Sequence, residues 1–151
     1  MDKRVTFLTE KQIDKNRLLR RLKDDSVKVS KSDDKLIINE IIVSLENDQR
    51  ILSPQEIHFL NSNAENLWSE YLIFRYKFEN FPIKRIVADF PIYVLIEPVS
   101  ACNLRCIMCF QIDKTFSDDK SFMGSMDISL FKKIIDECET GGTKAITLAS
   151  R

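Results

Sequence analysis

The chain has 151 residues, 44% hydrophobic and 30% charged, with 23 basic against 23 acidic side chains and no formal net charge. That length allows one domain or a piece of a larger one, and the charge balance leaves no global basic field to recruit nucleic acid. The best apolar run, Leu36 to Leu45, is broken by Asn39 and Glu40, and Met1 to Phe7 is followed by charge, so neither a membrane span nor a signal peptide is expected and a soluble cytoplasmic protein is.

In the first third, Arg17, Arg20, Arg21 and Lys23 are interleaved with Asp14, Asp24 and Asp25, the pattern of a solvated helix face. Ile13, Leu18, Leu19 and Leu22 predict a helix over Lys11 to Lys23. Residues 36–46 fit two templates. Ile37, Ile38, Ile41, Ile42 and Leu45 form a helical stripe, while their β-branching suits strands; the stripe favours helix. Ser53-Pro54-Gln55-Glu56 reads as a capping box with proline at the first helical position, so a short helix is expected through Leu60. His58, the only histidine, falls there and reads as structural. After a break at Asn61-Ser62-Asn63, Leu67, Tyr71, Phe74 and Phe78 predict an aromatic helix from Ala64 to about Phe78, with that stripe as its packing face and the following domain as its partner. Asn80 to Pro91, punctuated by Pro82 and Pro91, reads as a linker.

The pattern then changes. Ile92 to Ile96 is a continuous apolar run, expected to be a buried strand. A cysteine-bearing loop follows, then a polar loop over Gln111 to Ser125. Asp127 should cap a helix from Ile128 to about Cys138, with Ile128, Phe131, Ile134, Ile135 and Cys138 on one face and Gly141-Gly142 as its stop. Ala145 to Ala149 is a second expected buried strand. Strand, loop, helix, strand makes one βαβ unit, with parallel strands and a right-handed crossover. The fold class is therefore α/β, with a mainly helical extension and linker over 1–90 and an α/β region over 91–151. A lone βαβ unit cannot cover its own sheet, so a truncated domain is expected.

Three of the four cysteines lie within eight residues, in Cys102-Asn103-Leu104-Arg105-Cys106-Ile107-Met108-Cys109. A secreted disulfide scaffold would be denser in cysteine. Three thiolates on so short a loop can converge on one iron–sulfur cluster, and Leu104, Ile107, Met108 and Phe110 could wall it from water. A [4Fe–4S] cube has one iron more than this loop has thiolates, which leaves a corner for an outside ligand, the logic of a catalytic metal site. The loop also follows a strand of a parallel unit, where α/β proteins place their chemistry.

The spacing Cys102-x3-Cys106-x2-Cys109 is similar to the signature of the radical S-adenosylmethionine (radical SAM) superfamily, and the fuller string resembles its branch containing MoaA and the SPASM-domain peptide-modifying enzymes. The strand ending Ile96-Glu97-Pro98, the Met126-Asp127 helix start and the strand from Ala145 to Ala149 share the likeness, which spans about residues 92–151. It implies the first βαβ unit of a partial (β/α) barrel. Cys102, Cys106 and Cys109 would ligate three irons, SAM would chelate the fourth, and Met108 would lie near the adenine. Reductive cleavage of SAM would give a 5′-deoxyadenosyl radical that abstracts hydrogen from an unknown small-molecule or peptide substrate. The electron would come from a partner such as flavodoxin or ferredoxin; neither nucleic acid nor membrane is implied. The Gly-Glu-Pro-type motif of such enzymes is not within residues 1–151, so these residues alone are expected to be inactive, the activity belonging to the full-length protein.

The alternative is a non-catalytic zinc or iron–sulfur module, with Cys138 as a fourth ligand. Only Cys106 and Cys109 form a C-x2-C pair of the zinc type, and Cys138 on an apolar helix face reads as a small hydrophobe. Arg105, inside the loop, reads equally as a partner for an acid or a substrate carboxylate and as a solvated charge; Glu97, at the strand end, reads as a hydrogen-bonded structural residue ahead of a functional one, and Lys144 and Arg151 flank the second strand.

Overall fold

Asp14 fixes where the first described helix begins. In the computed structural model, which describes residues 13–102, 104, 106–119, 121 and 123–149, the Asp14 carboxylate accepts hydrogen bonds from the amides of Asn16 and Arg17 at 2.9 and 3.2 Å. It thereby satisfies two of the orphan donors of helix α1, Lys15–Ser26. The helix thus starts later than the expected Lys11, because Asp14, in extended conformation, is its cap, and ends later than Lys23; Lys11 itself lies outside the described residues.

The ambiguous stretch is helical: α2 runs over Ser32–Glu46. Ile37, Ile38, Ile41, Ile42 and Leu45 are all buried, so packing of one face outweighs the β preference of its isoleucines. Helix α3, Pro54–Ser62, carries both halves of the expected capping box. A 3-10 turn, Glu65–Leu67, then leads into α4, Trp68–Lys84.

Two expectations about α4 are corrected. It does not end near Phe78 but continues through Pro82 into the expected linker. Side-chain bonds hold the added turn: Asn80 Nδ2 donates to the Tyr76 carbonyl at 2.8 Å, and Lys84 Nζ to the Tyr76 hydroxyl at 2.7 Å. Arg85, at φ 54°, then takes the left-handed conformation that ends it. Its packing face is also different. Trp68, Ser69, Leu72, Ile73 and Tyr76 are buried, whereas Leu67 and Phe78 are each 40% exposed. The buried stripe lies one residue, about 100°, round the helix, because that side meets α1 and α2. The aromatic stripe instead meets α3, with the Phe59 and Tyr71 rings stacked 3.6 Å apart, and continues along α4 as tilted pairs, Tyr71–Phe74 at 6.4 Å and Phe74–Phe78 at 5.9 Å.

These helices form a unit that ends at Lys84, and a second unit begins at Arg85. The core of the first joins Leu18 and Leu22 to the α2 isoleucines, Leu60, Trp68 and Leu72. Each fully buried aliphatic side chain contributes about 1.5–3 kcal/mol. One polar tie crosses the core: the Asp25 carboxylate accepts from Ser69 Oγ at 2.7 Å and Arg21 Nε at 2.8 Å.

In the second unit, β1, Tyr93–Ile96, pairs in parallel with β2, Ala145–Leu148, in the register Tyr93↔Ala145 to Ile96↔Leu148. Helix α6, Ile128–Gly141, connects them. Asp127 caps it through Ser129 N at 2.7 Å. Gly142 ends it at φ 84°, with Thr143 N donating to the Cys138 carbonyl at 2.9 Å. The preceding Gly141 carries the Phe90 ring, which a Cβ there would meet at 2.3 Å. The strands are not buried as expected: Ile96 is, but Leu95 and Leu148 are each 57% exposed. Two strands and one connecting helix cannot cover both faces of a sheet. The stretch expected to be only loop contains a 3-10 turn, Phe110–Ile112, and a one-turn helix α5, Lys114–Ser117, whose cap Asp113 accepts from Thr115 N. Among the described residues, no helix is long and apolar enough to cross a membrane.

Candidate metal centre

The cysteine loop leaves the C-terminal end of β1 and is closed at its base. Val99 bridges Ser125 in antiparallel fashion, and Met126 N donates to the Pro98 carbonyl at 2.7 Å. Ser100 and Gly124 are bound three times. Ser100 N donates to the Gly124 carbonyl at 3.0 Å, Ser100 Oγ donates to the same carbonyl at 3.1 Å, and Gly124 N donates back to that hydroxyl at 2.7 Å. Inside this clasp, Gln111 Nε2 donates to the Ser100 carbonyl at 2.7 Å.

Local bonds shape the chain around the cysteines. Cys109 N donates to the Cys106 carbonyl at 2.9 Å, closing a four-residue turn with Ile107 and Met108 at its tip. A C-x2-C spacing thus places its thiols at the two ends of one turn. Ile112 N then donates to the Cys109 carbonyl at 3.1 Å, carrying the chain into the 3-10 turn. On the other arm, Leu104 N approaches Cys102 Sγ at 3.4 Å, an amide-to-sulfur contact of the kind that tunes metal thiolates.

Cys102 and Cys109 are partly exposed, Cys106 is exposed, and none of the three is in a disulfide. Cys138 is only 4% exposed, on the inward face of α6, as expected of a hydrophobic position. Among the described residues, no three His, Cys, Asp or Glu side chains converge as a cage for a single metal ion. The donor chemistry, three unpaired thiols on one open loop, fits an iron–sulfur cluster, whose thiolates bind separate irons and so need not surround one ion.

Among the described side chains, the expected apolar wall does not form. Met108 is 90% exposed, Ile107 89% and Leu104 62%. The Phe110 side chain, Asn103, Arg105 and Arg151 lie outside the described residues. Glu97 is half-buried just beyond β1, Lys144 is exposed just before β2, and His58 is exposed on α3. The sequence reading missed Ser100, Gly124 and Gln111. A hydroxyl two residues before the first cysteine and an amide two after the last were visible, but not that they meet.

Three carboxylates that follow the loop are favoured in their ionised form by hydrogen bonds. Asp113, Asp119 and Asp127 each have pKa values below the usual carboxylate range, first through the hydroxyl and then the amide of Thr115, Ser121 and Ser129 respectively.

The chain is similar to the tungsten-containing aldehyde ferredoxin oxidoreductase cofactor-modifying protein of Pyrococcus furiosus, 45% identical over 47 residues. That stretch is 31% of this chain and 12% of the relative, so the match spans a small part of the relative's length. No protein-family model matches this chain, and no solved structure matches it.

Proposed function

We propose that this chain contributes the cluster-binding start of a radical SAM enzyme, in which Cys102, Cys106 and Cys109 hold a [4Fe–4S] cluster and leave one iron for SAM. The observation that carries the reading is the placement of three unpaired thiols on one loop at the C-terminal end of a parallel strand, with Cys138 buried in a helix. A structural zinc site needs a fourth ligand, and the remaining cysteine, Cys138, is buried in α6. Bound, the cluster and SAM would supply reductive cleavage and hydrogen-atom abstraction; the chain's part is to orient them and keep competing reactions out. The Cys106–Cys109 turn presents two ligands, the Ser100–Gly124 clasp holds the loop on the strand end, and Met108 at the turn tip is exposed and free to cover an adenine. Because the thiols are not gathered beforehand, cluster binding completes the order of the loop.

In the whole protein we assign the barrel continuation, a cytoplasmic setting suited to free thiols, and an electron donor such as flavodoxin or ferredoxin. The relative's printed role, modifying a cofactor, favours a small molecule over a peptide as substrate. The test is anaerobic reconstitution of the full-length protein with iron and sulfide, reading metal per chain and the electronic spectrum with and without SAM. Four irons per chain, a SAM-dependent spectral change and loss of the cluster in Cys102→Ala are expected. Tight zinc without iron uptake would overturn the reading and leave the structural module.

A further inference from the structure

We propose that Gln111 is a positioning residue for the candidate cluster, a buried staple that joins the two ends of the segment carrying all three cysteines. Gln111 acts in this way only if the loop holds the cluster proposed above.

Gln111 is 6% exposed in a region where Ile107, Met108 and Ile112 are between 51% and 90% exposed. Burying a primary amide is costly unless it is hydrogen-bonded. Its Nε2 donates to the Ser100 carbonyl at 2.7 Å, so one side chain links a residue ahead of Cys102 to one behind Cys109. Ser100 is itself fixed, its amide and hydroxyl both engaged with Gly124. The ends of the loop are thus pinned while the thiols between them remain ungathered. Pinned ends reduce the loop-closure entropy that cluster binding must overcome. Pinned ends also keep the already exposed loop from opening further to water, and solvent access is one control on the potential of an iron–sulfur centre.

The experiment compares full-length wild type with Gln111→Met, which keeps volume but has no donor, and Gln111→Asn, which keeps the amide but shortens its reach. The first readout is the half-time of iron loss to a chelator, expected to fall about tenfold in both variants. The second is the midpoint potential, expected to rise, since water stabilises the more negative reduced cluster; a merely structural amide would lower the melting temperature without moving it. The third needs no cluster: alkylation of Cys102 and Cys109 in the reduced apo-protein, followed by mass spectrometry, should approach the rate at Cys106. A wild type that takes up the cluster, beside variants with unchanged half-time, potential and alkylation, overturns the staple and spares the cluster reading. A wild type that takes up no iron and sulfide overturns the cluster reading itself, and the staple with it.

Discussion

Replacing Glu56 with alanine is expected to cost the helical unit about 4–6 kcal/mol, the sum of two losses. The Glu56 carboxylate is 2% exposed. One oxygen accepts from Arg50 Nη2 at 2.5 Å and the other from Ser53 N at 2.7 Å. Its removal strands the Arg50 guanidinium, whose side chain is 15% exposed and whose Nε already has no hydrogen-bond partner. Breaking one half of a buried ion pair costs about 3–5 kcal/mol. Loss of the reciprocal half of the capping box adds about 1 kcal/mol. Small domains are typically stable by about 5–15 kcal/mol, so the variant should be close to unfolding. Trp68, the only tryptophan, is 4% exposed in this unit's core, so its fluorescence in urea reports the unit. Arg50→Ala should also be costly, because it buries a carboxylate alone, and the double variant should cost less than the sum by about 1–3 kcal/mol. A Glu56→Ala midpoint equal to wild type, or strictly additive costs, would refute the pairing.

Leu72→Ala, at a fully buried position between α4 and its neighbours, should lower stability by about 2–5 kcal/mol in the same urea titration. Gly142→Ala forces a Cβ into left-handed backbone at φ 84° and should cost about 1–2 kcal/mol, seen as earlier loss of α6 in a thermal melt. Asp127 is held below its ordinary value of 3.8, chiefly by the Ser129 hydroxyl. Its stabilising effect is therefore fully present above that ordinary value and is lost as pH falls through the lower folded one. Ser129→Ala should raise the Asp127 pKa towards the ordinary value, measured by carboxyl NMR titration; an unchanged value would contradict the hydroxyl's role.

Local chemistry was legible in the sequence. Ser53 through Glu56, Asp127 and Gly142 each announce a helix boundary through side-chain or backbone geometry that acts within a few residues. The cysteine spacing was legible too, although the turn that brings Cys109 N to the Cys106 carbonyl was not predicted from it. The choice between helix and strand for residues 36–46 was less accessible, since it depended on whether Ile37, Ile38 and Ile41 would find a shared core.

Tertiary structure decided the questions that need a second segment for an answer. Which side of α4 is buried depended on α1 and α2, and a rotation of one residue moved Phe74 and Phe78 from the expected core to a half-exposed ladder. How far α4 runs past Asn80 depended on Lys84 reaching back to Tyr76. Gln111 reads as an ordinary loop polar residue until the fold brings the Ser100 carbonyl to it. Caps, turns and ligand spacings are set by neighbours along the chain and can be read from it, whereas burial and closure are set by neighbours in space and cannot.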